Sequence, residues 1–78
     1  MRLSDETVAE IHVLSLFNLA SHQEGIIVHH DAEQHLIDAA KRLCSKGLIT
    51  QPDGGYLTDL GVEAAEHAQR MLTILSSR

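Results

Sequence analysis

The sequence predicts a mostly helical α+β domain, and three observations carry that reading. Apolar residues recur at helical spacing in three stretches, short β-branched runs stand between them, and Gly, Pro and Asp fall where those runs must turn. The resulting order is helix, strand, helix, strand, strand, helix, in one domain spanning residues 1–78.

Each element has its own signal. Ser4 is placed to cap the first helix, whose first turn, Asp5-Glu6-Thr7, carries the acids that a helix dipole favours. Apolar residues from Val8 to Ala20 wrap around more than one stripe, which suits a helix that is central to its core or covered by a second chain. Ser21-His22-Gln23-Glu24-Gly25 interrupts the pattern, and Ile26-Ile27-Val28-His29 reads as a short strand. Asp31 opens the second helix, with Gln34 positioned for a capping box. Along it, Leu36, Ile37, Ala40, Leu43 and Cys44 share a face, and Gly47 supplies a left-handed stop with Lys46 beside the last carbonyls. Leu48-Ile49-Thr50 and Tyr56-Leu57 form a hairpin around the turn Gln51-Pro52-Asp53-Gly54-Gly55, in which Gly54 or Gly55 takes positive φ. Thr58 caps the last helix, where Gly61, Ala64, Ala65, Ala68, Met71, Leu72 and Leu75 line one face.

A strand this short does not stand alone, so the first is expected to pair with the hairpin in a small antiparallel sheet. Three helices on that sheet give a winged-helix-like domain. It lacks one helix of the usual helix-turn-helix, because only His29 and His30 lie between the first strand and Asp31.

Composition narrows the function. Six Lys and Arg against eleven Asp and Glu give a net charge of −5, unfavourable for a polyanion unless cations cluster locally. Phe17 and Tyr56 are the only aromatics, so no platform exists for stacking the bases of a single strand. Cys44 is the only cysteine, which excludes an intramolecular disulfide. No signal peptide or membrane-length apolar run is evident, and the expectation is a cytoplasmic protein that does not engage a membrane.

The candidate sites follow. Nucleic-acid contact would fall to Lys41, Arg42 and Lys46 at the end of the second helix, but Asp31, Glu33 and Asp38 occupy the half that usually meets base edges. The bland alternative is that the three cations solvate the last turns and complement the helix dipole. Six histidines, His12, His22, His29, His30, His35 and His67, would move the charge from −5 to +1 if all were protonated, which raises a pH-linked switch. They show no recognised zinc spacing, so no metal or other cofactor is expected. No nucleophile with a base and an orienting partner is discernible, and Cys44 lies on an apolar stripe; the chain is not expected to be an enzyme. Excess apolar surface on the two terminal helices points to a homodimer through Leu16, Phe17, Leu72 and Leu75. Pro52, Asp53, Gly54 and Tyr56 are the expected contacts at the wing tip.

Two long stretches, LFNLASHQEGIIVHHDA (16–32) and KGLITQPDGGYLTDLGVEAAEHAQ (46–69), resemble a family of short uncharacterised bacterial proteins of nearly this length. The resemblance covers almost the whole chain and implies no particular reaction. More loosely, RLCSKGLI, DGG and LTDLG resemble the recognition-helix end and wing of MarR-like repressors. The chain departs from those repressors in the missing helix, and in Asp53, where they usually present arginine. The expected function is a non-catalytic, regulatory protein-interaction module. The alternative is a dimeric DNA-binding transcription regulator that contacts phosphates through the helix before the wing.

Overall fold

The computed structural model describes residues 3–21 and 24–77. Among them, α1 (Asp5–Ser15), β1 (Ile26–Ile27), α2 (Gln34–Ser45), β2 (Ile49–Gln51), β3 (Gly54–Leu57) and α3 (Asp59–Ser76) follow in the expected order. The sheet is antiparallel with strand order β1-β3-β2, so the first strand joins the hairpin as its short sequence requires. Three helices and this sheet make a mostly helical α+β fold, compatible with a winged-helix-like arrangement.

Several boundaries differ from the sequence reading. Helix α1 stops at Ser15 and does not run to Ala20. The reason is local: the Leu16 N–H bonds to the Val13 carbonyl, and the Asn18 side chain accepts from the Ala20 N–H. Asn competes with the helix ladder for backbone groups, and here it wins. Strand β1 is two residues long, not four. Helix α2 begins at Gln34, after a turn closed by Ala32 N–H to the His29 carbonyl. The capping box does not form, because Glu33 stands at the N-cap without a side-chain bond and Gln34 donates to Asp38 instead, at 2.9 Å. Strand β2 starts one residue later than expected, and β3 two residues earlier.

Other local signals hold. Ser4 accepts from the Thr7 N–H and caps α1; Thr58 accepts from the Gly61 N–H and caps α3. The Thr58 hydroxyl also donates to the Gly47 carbonyl at 2.6 Å, tying the end of α2 to the start of α3. Gly47 stops α2 at φ 80°, and in the turn both Gly54 and Gly55 take positive φ.

The core lies where the helices meet the β2 side of the sheet. Ala9, Val13, Leu14 and Phe17 come from α1 and its exit, Ala39, Ala40 and Leu43 from α2, Ile49 from β2, and Ala65 and Ala68 from α3. Alanines on α2 and α3 let the helices pack closely, and Leu43 and Val13 are the largest side chains fully enclosed between them. Beyond Gln69 the last turns of α3 carry no buried residue.

Gly61 shows how tight the α3 start is. A Cβ there would collide with the Leu48 carbonyl oxygen, which itself accepts from the Thr58 N–H. Alanine is normally worth about 1 kcal/mol more than glycine inside a helix. Gly61→Ala is expected to go the other way, lowering unfolding stability by about 1–3 kcal/mol in a urea titration, as overpacking does.

Candidate functional site

Helix α1 carries an acid on its buried face. Glu10 lies in helical register with Val13, Leu14 and Phe17, and it is only 7% exposed. A carboxylate removed from water must find partners, and α2 supplies two. Arg42 Nε donates to Glu10 Oε2 at 3.4 Å, and Lys46 Nζ donates to Oε1. Arg42 also donates to the Glu6 carbonyl at 3.2 Å and lies 3.8 Å from the Glu6 carboxylate. Glu6 and Glu10 are one turn apart on α1, as Arg42 and Lys46 are on α2, so the two helices are laced along matching rows.

This arrangement separates the three cations read as nucleic-acid contacts. Arg42 is half-buried and holds α1, and Lys46 is committed to the same carboxylate. Lys41 is exposed and has no ion-pair partner among the described residues. The three therefore do not form one outward face. Arg2 and Arg78 lie outside the described residues, and Arg70 is on α3.

Lys41 instead lines a cleft of about 630 Å³ between α2 and the wing. Ile37 of α2 forms one wall with it; Ile27, Val28, His29 and His30 form the floor; Pro52 and Asp53 close the wing side. The wing is anchored there by the Val28 N–H, which donates to the Asp53 carbonyl at 2.7 Å. A second groove of about 320 Å³ lies on the other flank and is lined by Gly25, Ile26, Gln51 and Tyr56. Ile27 and Asp53 belong to both grooves. Ile27 is 65% exposed, an apolar side chain set between a cation and a tyrosine.

The expected wing contacts divide. Pro52, Asp53 and Tyr56 are exposed, with the Tyr56 N–H fixed by the Thr50 hydroxyl at 2.9 Å. Gly54 is buried against the Ile26 backbone, where no side chain fits, so it shapes the wing and is not part of its exposed tip. Of the self-association residues, Leu16, Leu72 and Leu75 are exposed, but Phe17 is 4% exposed and belongs to the core. Its burial follows its helical register with Val13 and Leu14, which faces Phe17 to the core and leaves Leu16 outward.

The remaining candidates are scattered. His12, His29, His30, His35 and His67 are exposed, and His22 lies outside the described residues. Among the described residues no three His, Cys, Asp or Glu side chains gather as a metal site would require. Cys44 is half-buried against the core. Two consequential residues escaped the sequence reading, Glu10 and Ile27. An acid in step with three buried apolar positions was the available signal for Glu10. The exposure of Ile27 depends on which edge of the sheet β1 occupies, which no local pattern encodes.

The clamp has a measurable consequence. Arg42→Gln removes one partner of a buried carboxylate and is expected to cost about 1–3 kcal/mol of stability. Lys41→Gln, on the same helix, is expected to stay within about 0.5 kcal/mol of the parent. Urea unfolding of the two variants side by side reads the difference.

Comparisons with curated proteins and with solved structures give no match, so the likeness to MarR-like repressors rests on the short stretches quoted above. No helix among the described residues is long and apolar enough to cross a membrane. The profile of a family of unknown function, DUF5669, matches residues 1–76. The chain belongs to that family.

Proposed function

We propose that the chain is a non-catalytic protein-interaction module that meets its partner through the α2 and wing surface. The observation that carries this reading is the Glu10 clamp. It engages Arg42 and Lys46 internally and leaves Lys41 as the free cation of α2 among the described residues. Phosphate-backbone binding draws its affinity from several cations acting together. One lysine beside Asp53, on a chain of net charge −5, is a poor phosphate surface.

The same surface suits a protein. The centre of a protein interface is typically apolar and aromatic within a polar rim. Ile27 and Tyr56 supply that centre here, with Lys41, Asp53 and His30 around it. The wing presents these side chains on hydrogen-bonded backbone, so little ordering is needed when a partner docks.

Two measurements test the reading. Fluorescence anisotropy with unrelated DNA duplexes at low ionic strength is expected to give no saturable binding. Affinity that appears there and falls steeply with added salt would establish the DNA-binding alternative. A photoreactive side chain at Tyr56 is expected to cross-link a defined partner in cells, and Ile27→Asp is expected to abolish that product. Cross-linking from α3 positions alone would contradict the α2 and wing assignment.

A further inference from the structure

The end of α3 is an apolar helix segment that carries no buried side chain among the described residues. Met71, Leu72, Ile74 and Leu75 are 43%, 36%, 59% and 71% exposed. At 3.6 residues per turn they fall within an arc of about 160°, a broad stripe on one side of the helix. The last side chain bonding this helix to the body is Gln69, whose amide donates to the Leu14 and Phe17 carbonyls at 3.2 and 2.7 Å. Those bonds hold the exit of α1 against this part of α3, and Leu16 on that exit is 50% exposed. Farther along, Thr73 and Ser76 turn their hydroxyls back onto the carbonyls of Gln69 and Leu72.

We infer that this overhang pairs with the same segment of a second copy of the chain. Three features select a second copy. Residues 71–77 contain no charged side chain, whereas the whole chain carries −5. Two copies repel each other through most of their surface, and this segment lets them touch without opposing like charges. A stripe centred on one helix is also self-complementary across a two-fold axis, which is the requirement of an isologous contact. A domain of 78 residues has little core to spare, and pairing is a common way to bury the remainder.

The size of the contact sets its strength. Five partly exposed side chains per copy fall short of the roughly 800 Å² per partner of a standard interface. The pair is therefore reversible and concentration-dependent.

Analytical ultracentrifugation between about 10 µM and 1 mM, the range in which a weak pair titrates, tests this directly. The expected result is a mass rising from 8.6 kDa toward twice that value. Hydrogen exchange of the amides of residues 72–76 is expected to slow as the mass rises. Leu75→Glu and Ile74→Glu, both outside the core, are expected to weaken pairing at least tenfold with unchanged thermal melting of the body. Ile27→Asp is expected to leave pairing intact, so failure of the wing assignment and failure of this one are read separately. A monomer at every concentration, or a dimer that survives both glutamate substitutions, overturns the inference.

Discussion

The fold turns on one buried carboxylate. Glu10 sits among the residues that build the core, where an unpaired charge is costly, and its burial depends on α2 delivering Arg42 and Lys46 to it. A pair of this kind adds less to net stability than its Coulomb energy suggests, because both sides give up water. Its stronger effect is on geometry. It fixes the rotation and height of α2 against α1, and so decides which side chains of α2 face outward. Ile37 and Lys41 reach the cleft because Arg42 and Lys46 are turned toward α1. The functional reading thus follows from a structural constraint, with two cations paired to a buried carboxylate, Arg42 half-buried and Lys46 still exposed, and Lys41 left unpaired among the described residues beside an apolar groove.

The two exposed regions have different chemistry. The wing is held by backbone and hydroxyl hydrogen bonds and mixes apolar, cationic, acidic and aromatic groups, which suits selective recognition. The α3 tip is apolar and uncharged, and among the described residues Gln69 in the preceding turn supplies the side-chain hydrogen bonds that tie this end of the helix to the body. The wing has the features of a surface that discriminates among partners, and the tip those of one that gathers copies.

Much of the fold was legible in the sequence because its signals are local. Ser4 and Thr58 cap helices through their own hydroxyls, Gly47 takes the left-handed stop, and Pro52 through Gly55 encode the turn. The errors arose where two local preferences compete. Asn18 draws the chain out of helix despite apolar residues beyond it, and Gln34 bonds forward to Asp38 when a capping box was also available. The candidate site was less legible because it depends on pairing across the fold. Arg42 and Lys46 look like unpaired cations until Glu10, more than thirty residues away in sequence, is placed opposite them. Phe17 and Leu16 are neighbours in an apolar run, and the register with Val13 and Leu14, masked by the apolar residues on the other sides of the helix, decides that Phe17 is core.

The account rests most heavily on Arg42 being committed to Glu10. A double-mutant cycle in chemical denaturation, using Glu10→Gln, Arg42→Gln and the pair, isolates that interaction. The predicted result is a coupling of about 1 kcal/mol or more, with the double variant less destabilised than the sum of the singles. Strict additivity would contradict it: Arg42 would then be free of Glu10, and the case for reading α2 as a protein-facing surface would lose its foundation.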